Sequence, residues 1–217
     1  FFFAVLLWPA AGNMDKCSYQ LVPAQSQLRV LTYKAGPLSA MGHNLCLSVF
    51  NYSCTVEQRT LTVTVDAKGI AVEGQLDAET AEGPSFSPLG GWAVSEITKN
   101  MQSVHILNAE KFPEIKYTGE LQPRDGDQCS IIGELEMVGV KKPLTLTSTV
   151  QEDAEGITLR GEIMIKQTDW GIEPFYIMMG AISIKDEIKI LWSTRCFKAP
   201  AEADMAHRLR PVNTHHQ

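Results

Sequence analysis

The sequence lacks the features that mark the common enzyme and nucleic-acid-binding classes. It has no run of lysine or arginine, and its 25 acidic residues outnumber its 19 basic ones, giving a formal net charge of -6. An acidic surface repels phosphate backbones, so we expect no nucleic-acid partner. No G-x-S-x-G, G-x-x-x-x-G-K-[ST] or H-E-x-x-H motif occurs. The sequence therefore predicts a protein that is not an enzyme.

Cysteine is scarce and is not arranged for metal binding. The five cysteines include no C-x-x-C pair, and no Cys/His group has zinc spacing. We therefore expect no metal and no cofactor. If the first and last strands of the domain are neighbours, Cys17 and Cys196 are placed to form a disulfide in an oxidising compartment. We expect the other three cysteines to be small buried residues.

The two ends of the chain differ from its middle. The apolar run Phe1–Trp8 is too short to span a bilayer, which takes about 20 apolar residues. Small residues follow it, as in a secretory signal. We interpret residues 1–12 as a truncated signal, with a buried N-terminal strand or helix as the alternative. We expect residues 13–198 to form one domain that does not span a membrane, and residues 199–217 to be a disordered polar tail.

Alternation of apolar and polar residues dominates the domain. It runs through residues 43–49, 60–66, 114–121, 144–150, 157–166 and 184–192. This period is typical of antiparallel strands with one buried face. Asp125-Gly126 and Glu155-Gly156 separate such runs and predict hairpins. With residues 18–22 and 28–34 there are eight or nine strands, and eight strands close into a barrel that holds one small ligand. The predicted fold is an all-β, eight-stranded antiparallel barrel.

One segment has a helical period instead. Between Trp92 and Leu107, Val94, Ile97, Met101 and Val104 recur at spacings of three and four, which predicts an amphipathic helix of about four turns. The preceding Gly83–Gly91 stretch contains two prolines and is predicted to be a loop.

Five ordered motifs make the sequence similar to the YceI-like family. They are Tyr33–Leu47 (YKAGPLSAMGHNLCL), with its Gly-His step, Met101–Tyr117 (MQSVHILNAEKFPEIKY), Gly133–Leu146 (GELEMVGVKKPLTL), Gln167–Ile172 (QTDWGI) and Ile184–Ile190 (IKDEIKI). The resemblance covers roughly residues 18 to 195 and departs from the family at Lys166-Gln167, where many members have an arginine. It implies a lipocalin-like barrel, exported to the periplasm, that carries a polyisoprenoid or other long-chain amphiphile.

The barrel prediction selects a set of ligand-binding residues. The inward positions of the strands, together with Trp170 of the QTDWGI turn, give a predicted wall. Its members are Leu45, Leu47, Val63, Tyr117, Leu135, Leu146, Ile163, Ile165, Trp170 and Ile190. His43 shares the parity of Leu45 and is predicted to meet the polar head of a ligand or to be a satisfied structural histidine.

Two functional hypotheses follow from this barrel. In the first, the protein carries a polyisoprenoid or quinone-like lipid and catalyses nothing. In the second, side chains fill the barrel, and a structural or stress-response protein acts through a protein partner. The sequence leaves a homodimer open. It also leaves open whether residues 175–179 form a pliable lip or a buried loop.

Overall fold

Fifteen strands and one α-helix make up the main regular structure of residues 18–199, the part of the chain that this computed structural model describes. The predicted signal, Cys17 and residues 200–217 of the predicted tail lie outside the described residues. The strands and helix are β1 (Ser18–Leu21), β2 (Gln27–Thr32), β3 (Lys34–Ala35), β4 (Leu45–Val49), β5 (Tyr52–Glu57), β6 (Thr60–Asp66), β7 (Ile70–Thr80), β8 (Gly83–Ser87), α1 (Gly91–Gln102), β9 (Glu114–Leu121), β10 (Gln128–Met137), β11 (Val140–Glu152), β12 (Gly156–Lys166), β13 (Tyr176–Ile177), β14 (Ile182–Ile184) and β15 (Glu187–Lys198).

Eight strands form a closed antiparallel ring. Their order is β1-β5-β6-β9-β10-β11-β12-β15, and β1 pairs with β15 to complete the circle. In that closing ladder Tyr19 lies opposite Lys198 and Leu21 lies opposite Cys196. Closure removes the unpaired edges that an open sheet exposes. The predicted eight-stranded antiparallel barrel is confirmed, as is the expectation that the first and last strands are neighbours.

The barrel wall is longer on one side because three strands are interrupted by short turns. β1 and β2, β4 and β5, and β6 and β7 are successive pairs, and one member of each lies in the ring. The other members extend the sheet from β15 in the order β2-β4-β7, and β8 adds an edge strand next to β7. α1 connects β8 to β9, so the helix belongs to the extended end, while the end built around β1 and β5 is closed.

Side chains alternate across the wall as the sequence predicts. On β11, Leu144 and Leu146 face the interior, whereas Thr145 and Thr147 are exposed. The closed end is packed solid by apolar side chains, all buried. They include Tyr19, Val56, Leu121, Cys129, Val150, Ile157 and Cys196. The four described cysteines are buried, as expected for those among them predicted to be core residues, and Cys196 Sγ lies 4.0 Å from Cys54 Sγ.

Two local predictions were wrong. The helix ends at Gln102, because Ser103 is extended (ψ 168°) and Asn108 takes a left-handed backbone (φ 45°). Val104 therefore leaves the predicted apolar face and is exposed. The Gly83–Gly91 stretch begins with β8 instead of being a loop throughout. Among residues 18–199, β8 pairs only with β7, and a proline such as Pro84 is tolerated on an edge strand.

A second, smaller core lies on the outer face of the extension. Leu31, Cys46 and Leu76 are buried there, away from the barrel interior. An ion pair lies beside them: the Arg29 guanidinium donates to both carboxylate oxygens of Glu73, at 2.9 and 3.0 Å. Burial raises the pKa of Glu73, but hydrogen bonds from Arg29 and Ser48 outweigh burial, so the pKa lies below its usual range. This core joins β2, β4 and β7 through their outer faces.

Inward parity on β11 is testable with two adjacent substitutions. Leu146→Asp places a carboxylate on an apolar wall, and we expect it to lower the free energy of unfolding by several kcal/mol. Thr147→Asp, on the outer face of the same strand, is the matched control and should leave the urea midpoint nearly unchanged. Equal midpoints for the two variants would contradict the assignment of the faces.

Candidate functional site: an apolar cavity inside the barrel

The barrel interior above the closed end is hollow. A cavity of about 520 Å³ lies between the strands and α1, a volume within the usual range for small-molecule sites. Its wall is mainly aliphatic and is contributed by nearly every strand of the ring and of the extension. α1 adds Ile97 and Met101, and the turn after it adds Ile106 and Leu107. The described part of the chain therefore surrounds an apolar space inside the barrel.

Ten of the eleven residues predicted from the sequence line this cavity. They are His43, Leu45, Leu47, Val63, Tyr117, Leu135, Leu146, Ile163, Ile165 and Ile190. The alternation of the strands places them there, because inward residues of neighbouring strands share one face. That they contact a ligand stays a prediction.

Trp170 has a different position from the one predicted. It is not among the cavity-lining residues and is 3% exposed. Its indole N–H donates to the Leu135 carbonyl at 3.0 Å. β11 pairs with β12 only between Thr149–Glu152 and Ile157–Arg160, and the turn that carries Trp170 packs against β11 beyond that ladder. Trp170 is thus part of the buried core and not of the cavity wall.

Trp192 also lines the cavity. Its indole N–H donates to Ser148 Oγ at 3.0 Å, and Ser148 is fully buried. The Trp192 indole lies over Gly161, where a Cβ atom would stand 2.3 Å from Trp192 Cζ2. Only glycine leaves room for the indole at this position. Neither Trp192 nor Ser148 is among the predicted wall residues, although Trp192 shares the alternation of Ile190. The fit of its indole over Gly161 has no periodic signal.

Tyr117 is the largest predicted wall residue that the structure confirms as a wall residue. Its hydroxyl lies 2.9 Å from the Ile131 carbonyl and 3.1 Å from the Leu144 carbonyl, so it donates within the wall. Burial raises the pKa of Tyr117 to about 12. The phenol is therefore neutral at physiological pH, and it presents a ring face and no charge to the cavity.

Polar groups gather at the extended end of the cavity. His43 Nδ1 lies 2.6 Å from Gln75 Oε1, and Lys34 Nζ donates to the Gly42 carbonyl at 3.2 Å. His43 precedes β4 and is exposed, so it stands at the mouth and not deep inside. Thr32 also lines the cavity; its Oγ1 is buried and has no hydrogen-bond partner in the described structure. A buried hydroxyl without a partner costs free energy unless a ligand supplies one.

The fold and the cavity together define a lipocalin-like barrel with a hollow apolar interior. A family profile described as the YceI-like domain matches residues 19–195. The chain belongs to the YceI-like family. No helix among residues 18–199 has both the length and the apolar character needed to cross a bilayer.

Relatives agree with this assignment over part of their length. The YceI proteins of Salmonella arizonae and Salmonella newport are each 30% identical over 80 residues, which are 33% of this chain and 42% of theirs. The match thus spans about two fifths of these curated relatives. Among solved structures, Burkholderia cenocepacia BcnA is 15% identical, with a TM-score of 0.59 over 83% of this chain and 99% of its own. The Campylobacter jejuni YCEI protein is 17% identical, with a TM-score of 0.52 over 71% and 85%. These two structures support the fold alone.

The hollow interior is testable by filling it. Ile163→Trp adds an indole inside the cavity, and we expect it to lower the affinity for an apolar fluorescent dye by about tenfold, since a large apolar contact area is displaced. Met164→Trp adds the same group to the outer face of β12 and serves as the matched control. Loss of dye binding in both variants, or in neither, would contradict a dye site inside the barrel.

Proposed function

We propose that the protein is a non-enzymatic carrier that holds a long-chain lipophilic molecule, of polyisoprenoid or quinone-like type, inside the barrel in the bacterial periplasm. The observation that carries the proposal is the apolar cavity of about 520 Å³ above a packed closed end. An apolar chain that enters it leaves water and gains about 25 cal/mol per Å² buried, with no charged anchor required.

The cavity favours the carrier over the filled barrel. An interior void is unfavourable in a barrel that acts only as a scaffold, because the residues that line unfilled space lose packing contacts. Here the closed end shows that this chain can pack a barrel solid with residues such as Val56 and Ile157. Ser148 and Trp192 line the cavity, and Gly161 leaves the space that the Trp192 indole occupies.

The polar groups at the mouth supply a place for a head group. Thr32 Oγ1 needs a partner, and Lys34 stands two residues further along the same inward face. A carbonyl or phosphate oxygen accepts hydrogen bonds from both types of group. In this arrangement the apolar tail of the ligand contacts the cavity wall. The oxygen of its head group accepts a hydrogen bond from the Thr32 hydroxyl.

The described cavity wall offers little for catalysis. General acid–base chemistry requires a positioned proton donor or acceptor beside a reacting group. Two polar wall residues are instead engaged with the protein: Ser148 accepts from Trp192, and Gln167 donates to the Lys185 carbonyl at 2.9 Å. This supports binding without turnover.

The cargo is identified by mass spectrometry of an organic-solvent extract. The protein is purified under native conditions from a bacterial periplasm, with an exported protein of similar size prepared alongside. We expect a stoichiometric long-chain isoprenoid or other lipid that the control lacks. An extract without such a lipid, together with no uptake of added quinones or polyprenols, would contradict carriage and favour the filled-barrel function.

Thr32→Val tests the head-group position. The substitution keeps the shape and removes an unpartnered buried hydroxyl, so the empty protein should gain roughly 1 kcal/mol in the free energy of unfolding. The same change should weaken binding of a quinone or polyprenyl phosphate and leave binding of an unsubstituted long-chain hydrocarbon unchanged. Equal effects on the two kinds of ligand would place the head group elsewhere.

A further inference from the structure

Most exposed large apolar side chains of the described residues lie in one place. Of twelve such residues, seven belong to three segments beside the cavity opening, whereas the other five are scattered. We call these seven the apolar rim: Leu38, Met41, Trp92, Tyr176, Ile177, Met178 and Met179. Single exposed apolar residues need no explanation, but a contiguous patch marks an interaction site.

The rim is continuous with the cavity. Met41, Trp92 and Ile177 line the cavity and are also exposed, Met41 by 68% and Trp92 by 81%. Leu38 belongs to the same opening, because its backbone N–H donates to the Ala181 carbonyl at 2.9 Å, just beyond the Met178–Met179 turn. An apolar path therefore leads from the outside of the protein into the barrel.

The backbone holds the methionines outward. Met178 (φ 51°) and Met179 (φ 54°) both adopt the left-handed region, which side chains other than glycine rarely take. Met179 is fully exposed, at 101% of its reference area. Strain of this kind persists where surrounding structure imposes it, and it clusters at functional sites. At this turn, two long flexible apolar side chains are exposed on the rim.

Charged residues of both signs lie around the rim. Segments 33–43, 88–95 and 174–185 carry the rim and contain Lys34, His43 and Lys185. Glu96, Glu173 and Asp186 lie directly beside these segments in sequence, and Glu96 lines the cavity. The Lys185 ammonium lies 6.0 Å from the centre of the Tyr33 ring, beside the small sheet of β3 and β14. The exposed apolar side chains, and not a net charge, therefore distinguish the rim.

We propose that the apolar rim docks onto the surface of a phospholipid bilayer, so that lipid passes between bilayer and cavity without crossing water. Tryptophan and tyrosine prefer the membrane–water interface, where Trp92 and Tyr176 would lie. The methionines enter the acyl boundary, and the exposed Lys185 meets lipid phosphates. This extends the proposed function, yet docking is measurable whether or not the barrel holds cargo.

The test uses Trp92 as the reporter and vesicles of phosphatidylcholine and phosphatidylglycerol whose acyl chains carry bromine, a contact quencher. The full chain carries Trp8→Phe, which leaves Trp92 as the exposed tryptophan beside the buried Trp170 and the half-buried Trp192. A further Trp92→Phe variant gives the background signal. We expect bromolipid to quench the Trp92 component, and Met178→Glu with Met179→Glu to reduce that quenching about tenfold, as charges are excluded from the acyl boundary.

A matched control and three outcomes decide the proposal. Ile132→Glu with Met164→Glu charges two exposed apolar residues on the outer barrel wall and should leave the quenching of Trp92 unchanged. Unquenched Trp92 overturns docking, even if the chain sediments with vesicles through another segment. Rim charges that convert a dimer to a monomer, without vesicle quenching, assign the rim to contact between copies and also overturn it. Unquenched Trp92 in a protein that still yields extractable lipid contradicts docking alone and leaves carriage intact.

Discussion

The structure depends on the short ladder between β1 and β15 that closes the ring. Three residue pairs, from Tyr19–Lys198 to Leu21–Cys196, join the two ends of the domain. Without them β1 and β15 would present free edges at the closed end, and the apolar inner faces of eight strands would open to water. The closed ring keeps the apolar faces of its strands on the inside, where some residues form a core and others form the cavity wall.

The same ring has two ends with different packing. At the closed end, apolar side chains meet across the barrel and exclude a ligand, as the 4.0 Å approach of the Cys54 and Cys196 sulfur atoms illustrates. At the other end, interrupted strands extend the wall and a helix, not a strand, completes it. Trp192, placed over Gly161, lies between these regions. A packed base thus lies below an apolar cavity, and the cavity opens at a rim of exposed apolar side chains. This order from core to cavity to rim fits the proposed carriage of a lipid.

The sequence was sufficient for the ring and for most of the wall. Period-two alternation assigns Leu144 and Leu146 to one face and Thr145 to the other, whatever the detailed register. It was insufficient where tertiary contacts overrule local pattern. Val104 continues the helical spacing, yet the chain leaves the helix at Ser103. Trp170, selected from the QTDWGI turn, has the size of a wall residue, but its side chain is buried in the core and its indole N–H bonds to the Leu135 carbonyl. The unpartnered hydroxyl of Thr32 has no sequence signal at all, since threonines are common on strands.

The most direct test of the account is a crystal structure of the protein with a long-chain fatty acid or polyprenol that carries bromine at the tail end. Anomalous scattering then locates the tail without reference to the rest of the density. We expect a bromine peak above Trp192, between Val63, Tyr117 and Ile190, with the head group of the ligand near Thr32 and Lys34. A peak only on the outer surface, or a barrel in which side chains have closed over the cavity, would contradict a hollow ligand-holding interior.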